Sequence, residues 1–328
     1  MVIFSNDQGP IRAKQHMICS SVADLNEFVR SDQLRELIRI NEAQHERSFA
    51  QIADRICGQG ASVVMLAGPS SSGKTTSANR LATQLRMRGK KAILLSLDDY
   101  YIDRDKIPPG PDGKLDLEHI NTLHTALFSH HMEALLQGQE VELPSFNFKT
   151  GKQEWNGRTM GLEEDCILLV EGLHGLNPVL LPKEVDISQV FRVYVCPQCS
   201  LELDGHERID GSFLRLMRRI VRDHLSRGTS AQRTLAMWDS VRQGESRWIL
   251  PYRENADAVF DSSTVYELAV LKRHILPLLI SIPREDNYFD QVQNILGVLD
   301  QVQEADMDDE IPPTSLVREF IGGNTYYG

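Results

Sequence analysis

Gly68-Pro69-Ser70-Ser71-Ser72-Gly73-Lys74-Thr75 fits G-x-x-x-x-G-K-[ST], a spacing whose backbone amides wrap nucleotide phosphates. Gly68 and Gly73 let the chain approach the phosphates closely, and Pro69, Ser70, Ser71 and Ser72 make the turn between them. Lys74 can reach the β- and γ-phosphates as a point charge, Thr75 offers a hydroxyl to Mg²⁺, and Thr76 continues into a helix. An apolar run before the loop (62–67) and Ala78, Leu81, Ala82 and Leu85 after it predict strand, loop and helix, with Gly89 as the stop. That order aims a helix N-terminus at an anion.

Further chemistry stands at strand ends. Leu97-Asp98-Asp99-Tyr100-Tyr101 puts two carboxylates together, suited to a base for a hydroxyl and to a magnesium ligand. A capped turn is the plain alternative. Val170-Glu171-Gly172 delivers one carboxylate from an apolar strand, as the second metal element of phosphate-loop enzymes does. His174 follows, either touching substrate or holding its own loop. Arg215, Arg218, Arg219 and Arg222 recur at helical intervals, with Arg227 beyond them. Such a stripe predicts a helical lid that carries guanidinium groups to a transferring phosphate; otherwise it is a solvated face.

The elements that must position these groups alternate. Strand-like runs at 62–67, 92–97, 166–171, 190–195 and about 257–261 interleave with helical stretches, which predicts an α/β fold with a mostly parallel sheet flanked by helices. Residues 1–60 read as a helical lead-in, 61–285 as the phosphate-loop domain, and 286–328 as a further helix and tail. A polar insertion from Tyr100 to Asp165, rich in Pro and Gly at Ile107–Pro111, suits substrate contacts. The acidic patch Asp306–Glu310 reads as a solvated linker.

Composition sets the outer limits. A chain of 328 residues can bury a large core, and a net charge of −11 argues against general nucleic-acid binding. No apolar run is long enough for a bilayer span, and the N-terminus lacks a signal-peptide pattern. Five cysteines suggest reduced thiols and a cytoplasmic setting; Cys196-Pro197-Gln198-Cys199 lacks the second pair that zinc would want. A homo-oligomer is left open.

Taken in order, G-P-S-S-S-G-K-T-T, L-D-D-Y-Y, L-P-S-F-N-F, L-L-V-E-G and R-R-I-V-R-D resemble the phosphoribulokinase/uridine kinase family of P-loop kinases, over roughly residues 60–285. Within it the chain looks most similar to bacterial uridine-kinase-like proteins that carry a threonyl-tRNA-synthetase-like region ahead of the kinase. Their pattern extends to W-D-S-V-R-Q-G-E and R-E-F-I-G-G. The chain lacks room for the synthetase-like region, so a short form or a fragment is expected. The resemblance implies an ATP- and Mg²⁺-dependent kinase of a small-molecule hydroxyl, with the 5′-hydroxyl of a nucleoside as the first expectation.

By the same resemblance Asp98 is the general base, and Lys74 and Arg222 complete the catalytic set. Tyr101 lines the acceptor site, Asp116 holds ribose hydroxyls, and Phe146 and Phe148 flank the base. Thr75, Glu171 and Asp98 serve the metal, while Arg219, Arg222 and Arg227 contact phosphates. Two positions depart from the family: Gly151 stands where a base-reading histidine is placed, and Met237 where a ribose-binding glutamine is placed. The rival readings are a sugar-phosphate kinase, for which Lys149 and Lys152 would suit an anionic acceptor, and an ATP-binding regulatory protein.

Overall fold

The structure is a computed structural model that describes residues 2–6, 9–11, 19–107, 116–203 and 207–326. Pro108–Pro111 of the insertion, and Lys114 and Leu115 beside Asp116, lie outside the described residues. The chain opens with β1 (Val2–Asn6) and β2 (Gly9–Ile11), then α1 (Val22–Arg30) and α2 (Leu34–Gln59). The phosphate-loop unit is β3 (Val63–Ala67), α3 (Lys74–Met87) and β4 (Lys91–Ser96). The insertion folds as α4 (Thr125–Leu136) and a hairpin of β5 (Val141–Asn147) and β6 (Lys152–Met160). Then come β7 (Cys166–Glu171), β8 (Val190–Cys196), and the short antiparallel pair β9 (Ser200–Glu202) and β10 (Arg208–Asp210). The remainder is α5 (Gly211–Arg227), α6 (Ala231–Trp248), β11 (Ala258–Asp261), α7 (Glu267–Ile280), α8 (Phe289–Asp300) and α9 (Arg318–Ile321).

Seven strands form one sheet in the order β2-β1-β11-β8-β3-β7-β4. The five from β11 to β4 are parallel, and β1 and β2 add antiparallel at the β11 edge. Parallel strands covered on both faces read as continuous apolar runs, and β3 is buried throughout. Its alternate residues feed different layers. Val64 and Leu66 pack with Phe49, Ile52 and Leu81 of α2 and α3, while Val63 and Met65 pack with Phe128 and Met132 of α4.

A separate core joins both ends of the chain. Leu25 of α1, Leu37 of α2, Met217 and Ile220 of α5, Ile275 of α7 and Leu299 of α8 belong to one buried cluster. Residues on both sides of the expected boundaries at 60 and 285 therefore share it. The acidic patch is fastened rather than a solvated linker. Asp306 pairs with Arg273, and Glu310 with Arg35 at 2.9 Å. Hydrophobic neighbours such as Val302 and Ile311 draw that segment onto the core, where basic partners meet its charges. All five cysteines are free, and burial raises the thiol pKa values of Cys196 and Cys199.

Candidate active site

The phosphate loop leaves β3 in the middle of the parallel strands. From there the chain crosses to β4 on one side, while β8 lies on the other, a point where ligands gather at strand carboxyl ends. The two loop glycines are required by contacts. A Cβ on Gly68 would collide with the Val195 carbonyl oxygen, and Gly73 has φ +86° with the Leu316 side chain against it. Ser71 also takes a left-handed backbone, φ +59°, which a non-glycine residue adopts at a cost. Lys74 closes on the loop, its Nζ donating to the Pro69 carbonyl at 3.1 Å.

A cavity of about 560 Å³ opens above the loop, lined by Lys74, Thr75, Asp98, Glu171, Arg219 and Arg222. Thr75 Oγ1 donates to Glu171 Oε1 at 3.3 Å, and Ser96 Oγ to the same oxygen at 2.8 Å. Burial, then the nearby charge of Asp98, pushes Glu171 up to about 7. Burial also raises Asp98, against the attraction of Lys74 and Arg227. Removal from solvent lowers Lys74, opposed by Glu171 and Asp98. Two carboxylates and a hydroxyl gathered at a phosphate site offer the hard oxygens that Mg²⁺ takes. Among the described residues no group of three or more His, Cys, Asp or Glu forms a metal cage, so phosphate oxygens and water must complete any coordination shell.

The arginine helix divides its labour. Arg215 forks onto Glu245 at 2.6 and 2.7 Å, and Glu245 also accepts from the Ser70 amide at 2.9 Å. Arg218, fully buried, forks onto Glu267 at 2.7 and 2.8 Å and donates to the Ser262 carbonyl. These two arginines brace the loop from below instead of meeting solvent or phosphate. Arg219, Arg222 and Arg227 line the cavity. Arg219 donates to Ser70 Oγ at 2.6 Å. All three cluster on Asp223, at 3.3, 2.8 and 3.6 Å. Burial alone would raise Asp223, but Arg222, Arg219 and Arg227 outweigh it and hold the carboxyl below its ordinary range. Asp223 closes R-R-I-V-R-D at i+4 from Arg219, a spacing that signals this pairing in the sequence itself.

On the far side of Asp98, Tyr101, Phe146 and Phe148 make mutual ring contacts with centroids 5.1–6.2 Å apart, and Arg227 lies 5.2 Å over the Phe148 ring. Asp116 is elsewhere occupied: its carboxylate accepts from Trp248 Nε1 at 2.8 Å and from the Glu118 amide at 3.3 Å. Glu118, which no sequence motif singled out, lines the cavity instead, and its Oε2 is buried without a partner among the described residues. Gly244 makes room for it, because a Cβ there would strike the Glu118 side chain. W-D-S-V-R-Q-G-E thus supplies both the seat for Glu118 and the Glu245 brace. His174 is buried outside the cavity lining, and burial brings its imidazole down to about 4. Met237 lines the cavity, and the side chain of Arg104 fills the space beside Gly151.

The chain is similar in sequence to known proteins. The sequence model of the Phosphoribulokinase / Uridine kinase family matches residues 63–269. A uridine kinase from Vibrio vulnificus is 27% identical over 222 residues, covering 66% of this chain and 95% of that protein. A uridine kinase from Salmonella paratyphi B is 29% identical over 202 residues, covering 60% and 85%. A solved structure described as a possible uridine kinase from Bacillus stearothermophilus aligns with TM-score 0.41 at 22% identity, covering 64% of this chain and 98% of that one. The chain belongs to the phosphoribulokinase/uridine kinase family and is an ATP-dependent kinase.

Proposed function

We propose that this kinase transfers the γ-phosphoryl group of ATP to the 5′-hydroxyl of a nucleoside. The observation that carries the reading is one cavity holding Lys74, Asp98 and the Tyr101/Phe146/Phe148 ring cluster together. Lys74 and the loop amides take the β- and γ-phosphates, and Arg219 and Arg222 face the charge that spreads over the transferring group. Asp98 removes the proton of the attacking hydroxyl from its place in the cavity beside Lys74 and Thr75. Thr75 and Glu171, with Asp98 beside them, fit a magnesium ion held largely by phosphate oxygens, which supplies charge neutralisation.

The ring cluster offers flat apolar faces to a base. Glu118, with a free buried carboxylate oxygen, takes the sugar-hydroxyl role that the resemblance had given to Asp116. The sugar-phosphate reading is weakened because Lys152 is held by Asp105 at 2.6 Å and Asp103 at 3.7 Å. The test is ADP formation from ATP and Mg²⁺ with uridine, cytidine, adenosine, guanosine and a series of sugar phosphates. A nucleoside that drives ADP release supports the reading; release with sugar phosphates alone overturns it.

A further inference from the structure

The segment after residue 310 lies beyond the residues matched by the family, yet it reaches into the donor half of the cavity. Thr76 is the third residue of α3, so its amide is one of the orphan donors at a helix start. That amide donates to Glu319 Oε2 at 3.3 Å, and the Thr76 hydroxyl donates to the same oxygen at 2.7 Å. Asn324 Nδ2 donates to Thr76 Oγ1 at 3.1 Å. Arg318, Glu319, Gly322, Gly323 and Asn324 all line the cavity beside the phosphate loop.

The segment is well anchored. Leu316 is fully buried against Gly73, and Ser315 donates to the buried Glu42 carboxylate at 2.6 Å while sharing a hydrogen bond with Tyr266. Phe320 packs under the Arg218 guanidinium at 4.9 Å. A carboxylate thus sits on the N-terminus of the phosphate-loop helix, in the place where that helix attracts an anion. Phosphates of a bound donor and the Glu319 carboxylate would compete for the same amide and repel one another at short range.

We propose that Glu319 is a built-in stand-in for a donor phosphate, and that ATP or ADP binds by evicting its carboxylate from Thr76. This rests on the phosphate-loop reading of the site. Donor occupancy is then coupled to the position of the C-terminal segment, since the residue that must leave belongs to it.

The experiment is calorimetric titration of ADP and of MgATP into the wild-type chain, Glu319→Gln and Lys74→Ala. Removing the competing charge is expected to tighten both ligands by about tenfold in Glu319→Gln, the size of one charged hydrogen bond. Unchanged or weaker binding in that variant, with Lys74→Ala still crippling, overturns the proposal alone. If Lys74→Ala leaves ADP binding intact, the phosphate-loop reading falls and the proposal with it. Hydrogen exchange of peptides covering 315–326 gives a second measure. Faster exchange on adding ADP supports eviction, and slower exchange means that the segment closes on the nucleotide instead.

Discussion

The Asp99 carboxylate accepts from Arg158 Nη2 at 2.6 Å, and that ion pair separates it from its neighbour Asp98, which alone of the two lines the cavity. Sequence left both as candidates for the base. Asp98→Asn is therefore expected to lower kcat by at least ~10²-fold, the usual worth of a positioned base, with little change in ATP affinity. Asp99→Asn is expected to stay near wild type, since a partly exposed ion pair contributes little. Steady-state kinetics on both variants with one acceptor checks the ranking, and the reverse order moves the base to Asp99.

Glu245 ties Arg215 to the Ser70 amide, so it acts on stability and on the loop together. Glu245→Gln leaves the buried Arg215 without its counter-charge. Loss of one partner of a buried pair costs about 3–5 kcal/mol. Denaturant unfolding should show that loss, and KM for ATP should rise because the loop has lost its brace. A variant as stable as wild type would mean that Arg215 finds another partner.

Glu118 gives a pH signature. Burial, reinforced by Glu245, raises its carboxyl from 4.5 to about 7, so the folded chain holds a proton there that the unfolded chain releases. Its contribution is neutral below about 4.5 and turns destabilising as pH rises toward about 7, where the folded site must also ionise. Glu118→Gln should thus match wild type in Tm at pH 4.5 and exceed it by several degrees at pH 8 without ligands. The same variant should raise KM for a ribonucleoside more than for its 2′-deoxy analogue. A pH-independent difference in Tm would show that Glu118 is already paired.

By the resemblance Gly151 replaces a base-reading histidine, and its surroundings work against a simple restoration. Its φ is +69°, and a Cβ would lie 2.7 Å from Arg104 Cδ. Gly151→His should cost about 1–2 kcal/mol from the left-handed backbone and gain no pyrimidine preference while Arg104 fills the space. Gly151→His with Arg104→Ala frees that space and should raise uridine use relative to adenosine. Competition between the two nucleosides, alongside urea unfolding, measures both effects. A preference gained by the single variant would show that Arg104 yields easily.

Local patterns were legible where one segment holds its own signal. The phosphate loop, the five parallel strands within a residue or so, and the carboxylates Asp98 and Glu171 at strand ends all follow from short stretches of residue types. What stayed hidden depends on distant partners. The arginine stripe has one spacing but two fates, because Glu245 and Glu267 claim Arg215 and Arg218 from other helices. Asp116 and Glu118 are two residues apart, and only Trp248 and Gly244 decide which of them faces the cavity. The strands Val2–Asn6 and Gly9–Ile11 carry little alternation of their own and are defined by pairing to β11 and to each other.

Glu319 and Asn324 meet Thr76 across 243 and 248 residues of chain. Translation at ~5–20 residues per second leaves the loop waiting on the order of 10–50 s for those partners. The parallel strands are complete only with β11 at Asp261, and the anion cradle stays unsealed beyond that until Glu319 has been added. The folding chain must therefore hold the N-terminus of its phosphate-loop helix unpaired until almost its last residues are in place.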